Sequence, residues 1–182
     1  VHANSISRMA KRFEALPDTP KEIWEQDARR YLSDFGVYQA IEWIDRDYVI
    51  RWMVPIEGNE DAIGFNVAFS PERRASLQKA QMTGDLDIFG VIDLKQGGKG
   101  MVIYAPISTG DANNGFIAGV FRMETLANYM LSNRALTSFH IEIREKGDPA
   151  YVLNDSMETD SRFSRTLDVD LPTLDWTLAV TP

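Results

Sequence analysis

Few residues in this sequence have the chemistry to act on a substrate. There are two histidines, His2 and His140, and no cysteine. A histidine dyad needs a base or nucleophile in reach, and a zinc site needs three or four ligands. His2 at one end of the chain and His140 on the polar side of a predicted edge strand assemble neither. The lack of cysteine removes disulfides, thiolate nucleophiles and thiolate zinc sites together. Acidic side chains gather at Glu57, Glu60 and Asp61, at Asp85 and Asp87, and at Asp168 and Asp170. Calcium accepts such oxygens, but the spacing of a calcium-binding loop is missing, and solvated loops and strand faces account for them. Gly97, Gly98 and Gly100 around Lys99 have the composition of a phosphate loop without its pattern. That loop opens a helix, whereas here a strand follows.

What remains is recognition. Asn66 lies in the apolar run Ile63–Phe69 and Tyr104 in Met101–Pro106. A polar group on a buried strand must find a partner or lose about 1–3 kcal/mol. Either a bound ligand or a neighbouring backbone group can be that partner. Ala118 and Gly119, in mid-strand, remove side-chain bulk and leave room for a ligand or a close-packed helix.

The elements that would position these residues follow from periodicity and punctuation. Ile6, Met9, Phe13 and Leu16 form the stripe of a first helix, stopped by Pro17. Thr19 as cap, Pro20 at the first position and Glu22 in a capping box open a second helix. Its apolar face is Trp24, Ala28, Tyr31, Leu32 and Phe35, and Gly36 supplies the stop. Val37–Ile44 and Tyr48–Val54 read as a hairpin. Ser70–Pro71 opens a helix that Gly84 closes. Strands are predicted over Asp87–Leu94, Gly100–Ile107 and Gly115–Arg122, with turns at Gly97–Gly98 and Asn114–Gly115. A helix follows over Glu124–Ser132, with Leu126, Tyr129 and Met130 inward. Alternation around Phe139–Ile143, Leu167–Val169 and Trp176–Val180 predicts a smaller antiparallel lobe with one wet face. Strands grouped in antiparallel runs indicate an α+β fold.

The 182 residues carry a net charge of −8 and no basic cluster, which argues against nucleic acid as a partner and favours small molecules or proteins. No run of about 20 apolar residues is present to span a bilayer. The start at Val1 suggests a piece of a longer protein.

Several segments together resemble the CHASE domain, the extracytoplasmic sensor of histidine kinases, adenylate cyclases and diguanylate cyclases. They are Ile63–Val67, Arg73–Ala80, Thr83–Gly84, Gln96–Gly98, Tyr104–Pro106, Gly115–Met123 and Trp176–Val180. The resemblance runs from about residue 38 onward. It implies N-terminal helices over 1–36, a PAS-like five-stranded ligand-sensing unit over 37–132 and a smaller membrane-proximal β lobe over 133–182. Transmembrane helices would flank the whole, and the fragment itself would not be an enzyme. In the plant cytokinin-receptor branch an aspartate of the pocket holds the ligand's purine ring. The matching position here is Asn66, and an amide changes the hydrogen bonds a ligand must present.

The expected site lies between the sheet and the Ser70–Thr83 helix. Asn66 and Tyr104 would recognise polar groups, Phe89, Trp43 and Trp52 would form aromatic walls, and Gly119 would leave room. The ligand is a small molecule, and no cofactor or metal is expected. The Ile6–Leu16 stripe either forms a homodimer seam or packs on its own domain. Three rival readings stand beside this one. They are a cytoplasmic PAS-type module carrying haem or flavin, a hydrolase using carboxylates, and a ligand-free structural spacer.

Overall fold

The first helix, α1 (Ala3–Ala15), turns its whole stripe inward: Ile6, Met9, Ala10 and Phe13 are all buried. In the computed structural model, which describes residues 3–94, 98–109, 112–130, 138–171 and 174–182, α1 lies on a five-stranded antiparallel sheet. The Ser108 amide donates to Glu14 Oε1 at 3.1 Å, and Ser5 Oγ and Tyr38 Oη share a short hydrogen bond. Of the two readings of the stripe, packing within the domain uses all but Leu16, which stays exposed.

Helix α2 (Lys21–Phe35) packs against the hairpin that follows it and buries Trp24 and Ala28. Asp27 is buried with them and meets Arg12 of α1 at 2.5 Å, an ion pair that ties the two helices. The capping box does not form. Thr19 Oγ1 donates back to the Leu16 carbonyl at 2.6 Å, so Pro20 itself precedes the first turn and its carbonyl accepts from Ile23 and Trp24. Gly36 ends the helix at φ 55°, its amide bonded to Leu32 O.

Strands β1 (Tyr38–Ile44) and β2 (Ile50–Val54) form the expected hairpin around Asp45, whose carboxylate accepts from the Asp47 and Val49 amides. Helix α3 (Pro71–Thr83) starts and stops as predicted, with Ser70 Oγ accepting from the Arg73 amide and Gly84 at φ 71°. Strands β3 (Asp87–Asp93), β4 (Lys99–Thr109) and β5 (Ala112–Arg122) complete the sheet in the order β2-β1-β5-β4-β3. The predicted turn at Asn114–Gly115 is instead part of β5. Gly115 sits at φ 106° where a Cβ would lie 2.0 Å from the Ile44 carbonyl, so the glycine serves a close strand approach. Gln96 and Gly97, predicted in the preceding turn, lie outside the described residues, as does His2.

The chain divides into two compact units. One comprises Val1–Phe89 with Val102–Phe121 and therefore includes the N-terminal helices; the other comprises Gly90–Met101 with Arg122–Pro182. In the second, α4 (Met123–Met130) buries Met123 and Ala127 and leaves Leu126 half-buried and Tyr129 exposed, so the inward face is centred on Met123 and Ala127 and not on Tyr129 as predicted. The predicted extension to Ser132 lies outside the described residues. Strands β6 (His140–Glu145), β7 (Asp148–Leu153), β8 (Arg165–Leu171) and β9 (Leu174–Thr181) form an antiparallel sheet in the order β7-β6-β9-β8. Sequence reading missed β7, where Pro149 argues against a strand; the strand is an edge, where a proline is tolerated. His140 is correspondingly on an inner strand, not an edge. Leu167, predicted to face inward, is exposed on the edge strand β8. With two antiparallel sheets and four helices, the fold is α+β and PAS-like.

A Cβ at Gly119 would stand 2.9 Å from Ile6 Cδ1 and from Tyr38 Cε1. Gly119→Val should therefore lower stability by about 1–3 kcal/mol through overpacking. Urea unfolding checks this, and Ile6→Ala in the same chain should make the added valine less costly.

Candidate ligand site

Strand pairing separates the sequence-predicted site residues into two groups. Ile41 stands opposite Gly119, and Trp43 opposite Ile117 on β5 and Trp52 on β2; these side chains share the face covered by α1 and α2. There Trp43 and Trp52 have ring centres 4.4 Å apart, and Trp24 of α2 adds a third ring 5.7 Å from Trp52. Trp43 also lines a cavity of about 290 Å³ with Phe13, Pro17, Ile107 and Asn114. Trp43, Trp52 and Gly119 thus belong to the packing between helices and sheet. Gly119 leaves room for Ile6 and Tyr38, the close-packed-helix alternative.

The intervening residue, Glu42, points the other way. It is paired with Met53 and Ala118, on the face where Phe116 stands opposite Ile44. Helix α3 covers this face. Asp87 of β3, itself buried, accepts from Ser76 Oγ at 2.5 Å and from Lys79 Nζ at 2.6 Å, and Tyr48 Oη donates to Gln81 Oε1 at 3.4 Å. Tyr104 of β4 lies here with its ring 6.5 Å from Phe116. Arg73, on the first turn of α3, places its guanidinium 5.1 Å from the Phe69 ring and 5.3 Å from the Phe89 ring. Tyr104 and Phe89, from the predicted set, are therefore brought together with Glu42 and Arg73.

The electrostatics of this group are unusual. Glu42 is 7% exposed and, among the described residues, has neither a hydrogen bond nor an ion pair. Tyr104 is fully buried, and among the described residues no group meets its hydroxyl at hydrogen-bond geometry, although the Arg73 guanidinium is close enough to act on it as a donor. Arg73 has no carboxylate at ion-pair distance among the described residues, yet it is near enough to act on both groups. Burial pushes the Glu42 carboxyl up to about 7, and the Arg73 charge only partly offsets this. Burial also raises the Tyr104 hydroxyl strongly; Arg73 opposes the rise and Glu42 adds to it. Leaving a hydroxyl unpaired costs about 1–3 kcal/mol, and a buried carboxyl without a donor costs at least as much. The set can accept from a donor at Glu42, donate from Tyr104 and hold an acceptor or anion at Arg73.

Asn66 does not join them. The segment around it is not a strand but a loop with one bridge to Val49. Its side chain is exposed, with Nδ2 donating to the Asp47 carbonyl at 3.1 Å and Oδ1 accepting from the Ala68 amide at 2.9 Å. The backbone alternative left open for this amide is the one observed. Glu42 and Arg73 escaped the sequence-based site. The signal for Glu42 was present: it is the one charge in the apolar run from Val37 to Ile44. His140 lies in the second unit, with Nδ1 3.3 Å from the Asn154 carbonyl. Among the described residues no group of three acidic, histidine or cysteine side chains could hold a metal ion.

The first unit thus combines a PAS-like sheet with a group of buried polar side chains held under one helix, and a sensing domain is the class such a fold belongs to in the family that matches. The family comparison is specific on this point: the CHASE domain model matches residues 11–153, and the chain belongs to that family. No curated protein sequence matches the chain. Among solved structures, the extracellular ligand binding receptor from Desulfohalobium retbaense matches with a TM-score of 0.74 and 12% identity, over 99% of this chain and 36% of the other. This chain thus spans about a third of that receptor. The domain of a sensory box/GGDEF family protein from Vibrio parahaemolyticus matches with a TM-score of 0.70 and 13% identity, over 97% and 83% of the two chains. The ligand-binding domain of the Pseudomonas aeruginosa chemoreceptor PctC, in complex with GABA, gives 0.64 and 14%, over 97% and 88%.

The raised Glu42 carboxyl has a consequence for stability. The folded protein holds this proton more tightly than the unfolded chain, whose carboxyl titrates near 4.5. The contribution is therefore complete below pH 4.5, declines as pH rises and is lost above about 7. Glu42→Gln does not titrate, so it should be more stable than the parent at pH 8 by up to roughly 3 kcal/mol, with the gap shrinking toward pH 5. Urea unfolding of both proteins at the two pH values measures it.

Proposed function

We propose that this chain is the extracytoplasmic small-molecule sensing domain of a transmembrane signalling receptor. The ligand sits between the five-stranded sheet and α3, on Glu42, Tyr104 and Arg73, with Phe89 and Phe69 as aromatic walls. One observation carries the reading: among the described residues, two buried polar side chains, on β1 and on β4 with β5 between them, have no hydrogen bond of proper geometry beneath a cation with no carboxylate at ion-pair distance. A core under selection for stability alone favours apolar residues at such positions. Membership of the CHASE family supports the sensing role. Amino acids and their relatives are the first class to try, since the fold is shared with domains solved with GABA, L-Arg and L-alanine.

A ligand that bridges Arg73 and Glu42 draws α3 toward the sheet. Asp87 anchors α3 to β3 through Ser76 and Lys79, so a shift of the helix is passed to β3 and onward along the chain. A ligand preferring one such arrangement shifts its population. Transmembrane helices flanking the domain would carry that shift to a cytoplasmic histidine kinase or diguanylate cyclase, and the domain itself has no catalytic task. Among the described residues no helix is long and apolar enough to cross a membrane. A homodimer through the N-terminal helices would have to use Leu16 and Ile23, which are 55% and 43% exposed.

A thermal-shift screen of amino acids and related metabolites tests the reading. A compound at about 100 times its Kd adds roughly 2.7 kcal/mol to stability. Tyr104→Phe should weaken a hit about 5- to 10-fold and Arg73→Ala about 10- to 100-fold, with folding intact, these being the usual worth of neutral and charge-assisted hydrogen bonds. Hits indifferent to both substitutions would place the ligand elsewhere.

A further inference from the structure

Glu42 stands out because, among the described residues, it has neither a hydrogen bond nor an ion pair. Of the polar groups on the elements packed around it, Arg73 from α3 acts on the carboxyl and Tyr104 from β4 feels its charge, while Ser76 and Lys79 are engaged with Asp87 and Tyr48 with Gln81. Its neighbours on the flanking strands are Met53 of β2 and Ala118 of β5, which carry no charge. Phe69 and Phe89, which flank the guanidinium, carry none either. Among the described residues, the first unit contains no histidine. A carboxyl in this setting has two states of comparable free energy at neutral pH: a neutral acid, or an anion weakly supported by Arg73. Whatever enters the site selects between them.

We propose that the site takes the ammonium group of a small organic cation on Glu42, and that each binding event exchanges this cation for the carboxyl proton. This rests on the ligand reading above. Before binding, the protonated share of the molecules, about half near pH 7 and most at pH 6, holds a neutral carboxylic acid. On binding, the O–H bond of Glu42 breaks, the proton passes to buffer, and a carboxylate–ammonium pair forms in its place. The charge buried at Glu42 is thereby neutralised in both states, by a proton or by the ligand. Tyr104 Oη stands ready to donate to the ligand or to the carboxylate. Arg73, at the outer wall, is free to hold an anionic end, so amphoteric compounds match both ends. The exchange couples sensing to external pH: an ammonium ligand competes with protons for Glu42 and is held less tightly as the medium acidifies.

Titration calorimetry of the full chain tests this with GABA, L-alanine, L-arginine and n-butylamine, which keep their ammonium charge between pH 6 and 8. Butyrate serves as the acid-only control. At least one ammonium compound should bind about tenfold more tightly at pH 8 than at pH 6, as expected for competition with a proton at a group titrating near 7. At pH 7 the measured heat should differ between Tris and phosphate buffers by the ionisation heat of about half a proton, released on binding. In Glu42→Gln the same compound should bind more weakly at pH 8, with its residual affinity flat in pH. Affinity independent of pH in the parent, affinity greatest at pH 6, or no binding by any ammonium compound would each overturn the proposal. Binding of butyrate or an uncharged metabolite that weakens in Tyr104→Phe would overturn the exchange and leave the sensor reading standing. Failure of every small molecule in the screen would remove both.

Discussion

Strands β1 and β5 are covered on both faces, and that double burial governs the rest of the first unit. A strand with a wet face can send its polar residues to solvent, but β1 cannot, because α1 and α2 lie on one side and α3 on the other. With a side-chain period of two, each residue is committed to one helical layer or the other. The pairing of Glu42 with Met53 and Ala118 sends it toward α3, and that of Ile41 and Trp43 sends them toward the N-terminal helices. The two faces therefore have different jobs. One is filled by rings and aliphatic groups, with Gly119 allowing Ile6 to approach. Among the described residues, the other holds a carboxyl and a hydroxyl without hydrogen-bond partners, while the first face leaves the indole N–H of Trp24 unpaired.

The helix over the second face is fastened by polar contacts more than by a broad apolar seam. Ser70 caps its start, and Ser76 and Lys79 converge on the buried Asp87. Of its residues, Ser76, Leu77 and Ala80 are buried. A helix held by a few directional bonds at defined points can shift as a body without dismantling a core, which suits an element placed over a ligand. By contrast α1 buries Ile6, Met9, Ala10 and Phe13 in succession and is locked to α2 through Arg12 and Asp27. The sheet is thus covered by apolar packing on one side and by a helix with more directional polar fastenings on the other.

How much of this was legible in advance varies with the physics. Helix boundaries set by local chemistry were readable: Ser70–Pro71 and Gly84 frame α3, and Gly36 ends α2, because caps and left-handed stops depend on a few adjacent residues. Where local signals competed, reading failed. Thr19 turned its hydroxyl back to Leu16, Pro149 tolerated an edge strand, and Asn114–Gly115 proved to be strand and not turn. Asn66 misled for a related reason. An apolar neighbourhood in sequence suggested a buried strand, while the chain there runs as a loop in which Asn66 is exposed and its amide is satisfied by the Asp47 carbonyl and the Ala68 amide.

By itself, the sequence determined the fold class, the family and most element positions, since these rest on composition, periodicity and short-range punctuation. It also contained the atypical charge at Glu42. Only the tertiary structure decided which residues make a site. Register is a property of strand pairs, so no single strand reveals that Trp43 and Glu42 part company or that Tyr104 of a distant strand joins the latter. Bringing Arg73 over both requires α3 to dock, and docking depends on contacts made 11 residues apart by Ser76 and Asp87 and across the whole sheet. That Glu42 and Tyr104 have no hydrogen bond of proper geometry among the described residues is likewise a fact of three-dimensional packing, which no single segment reveals.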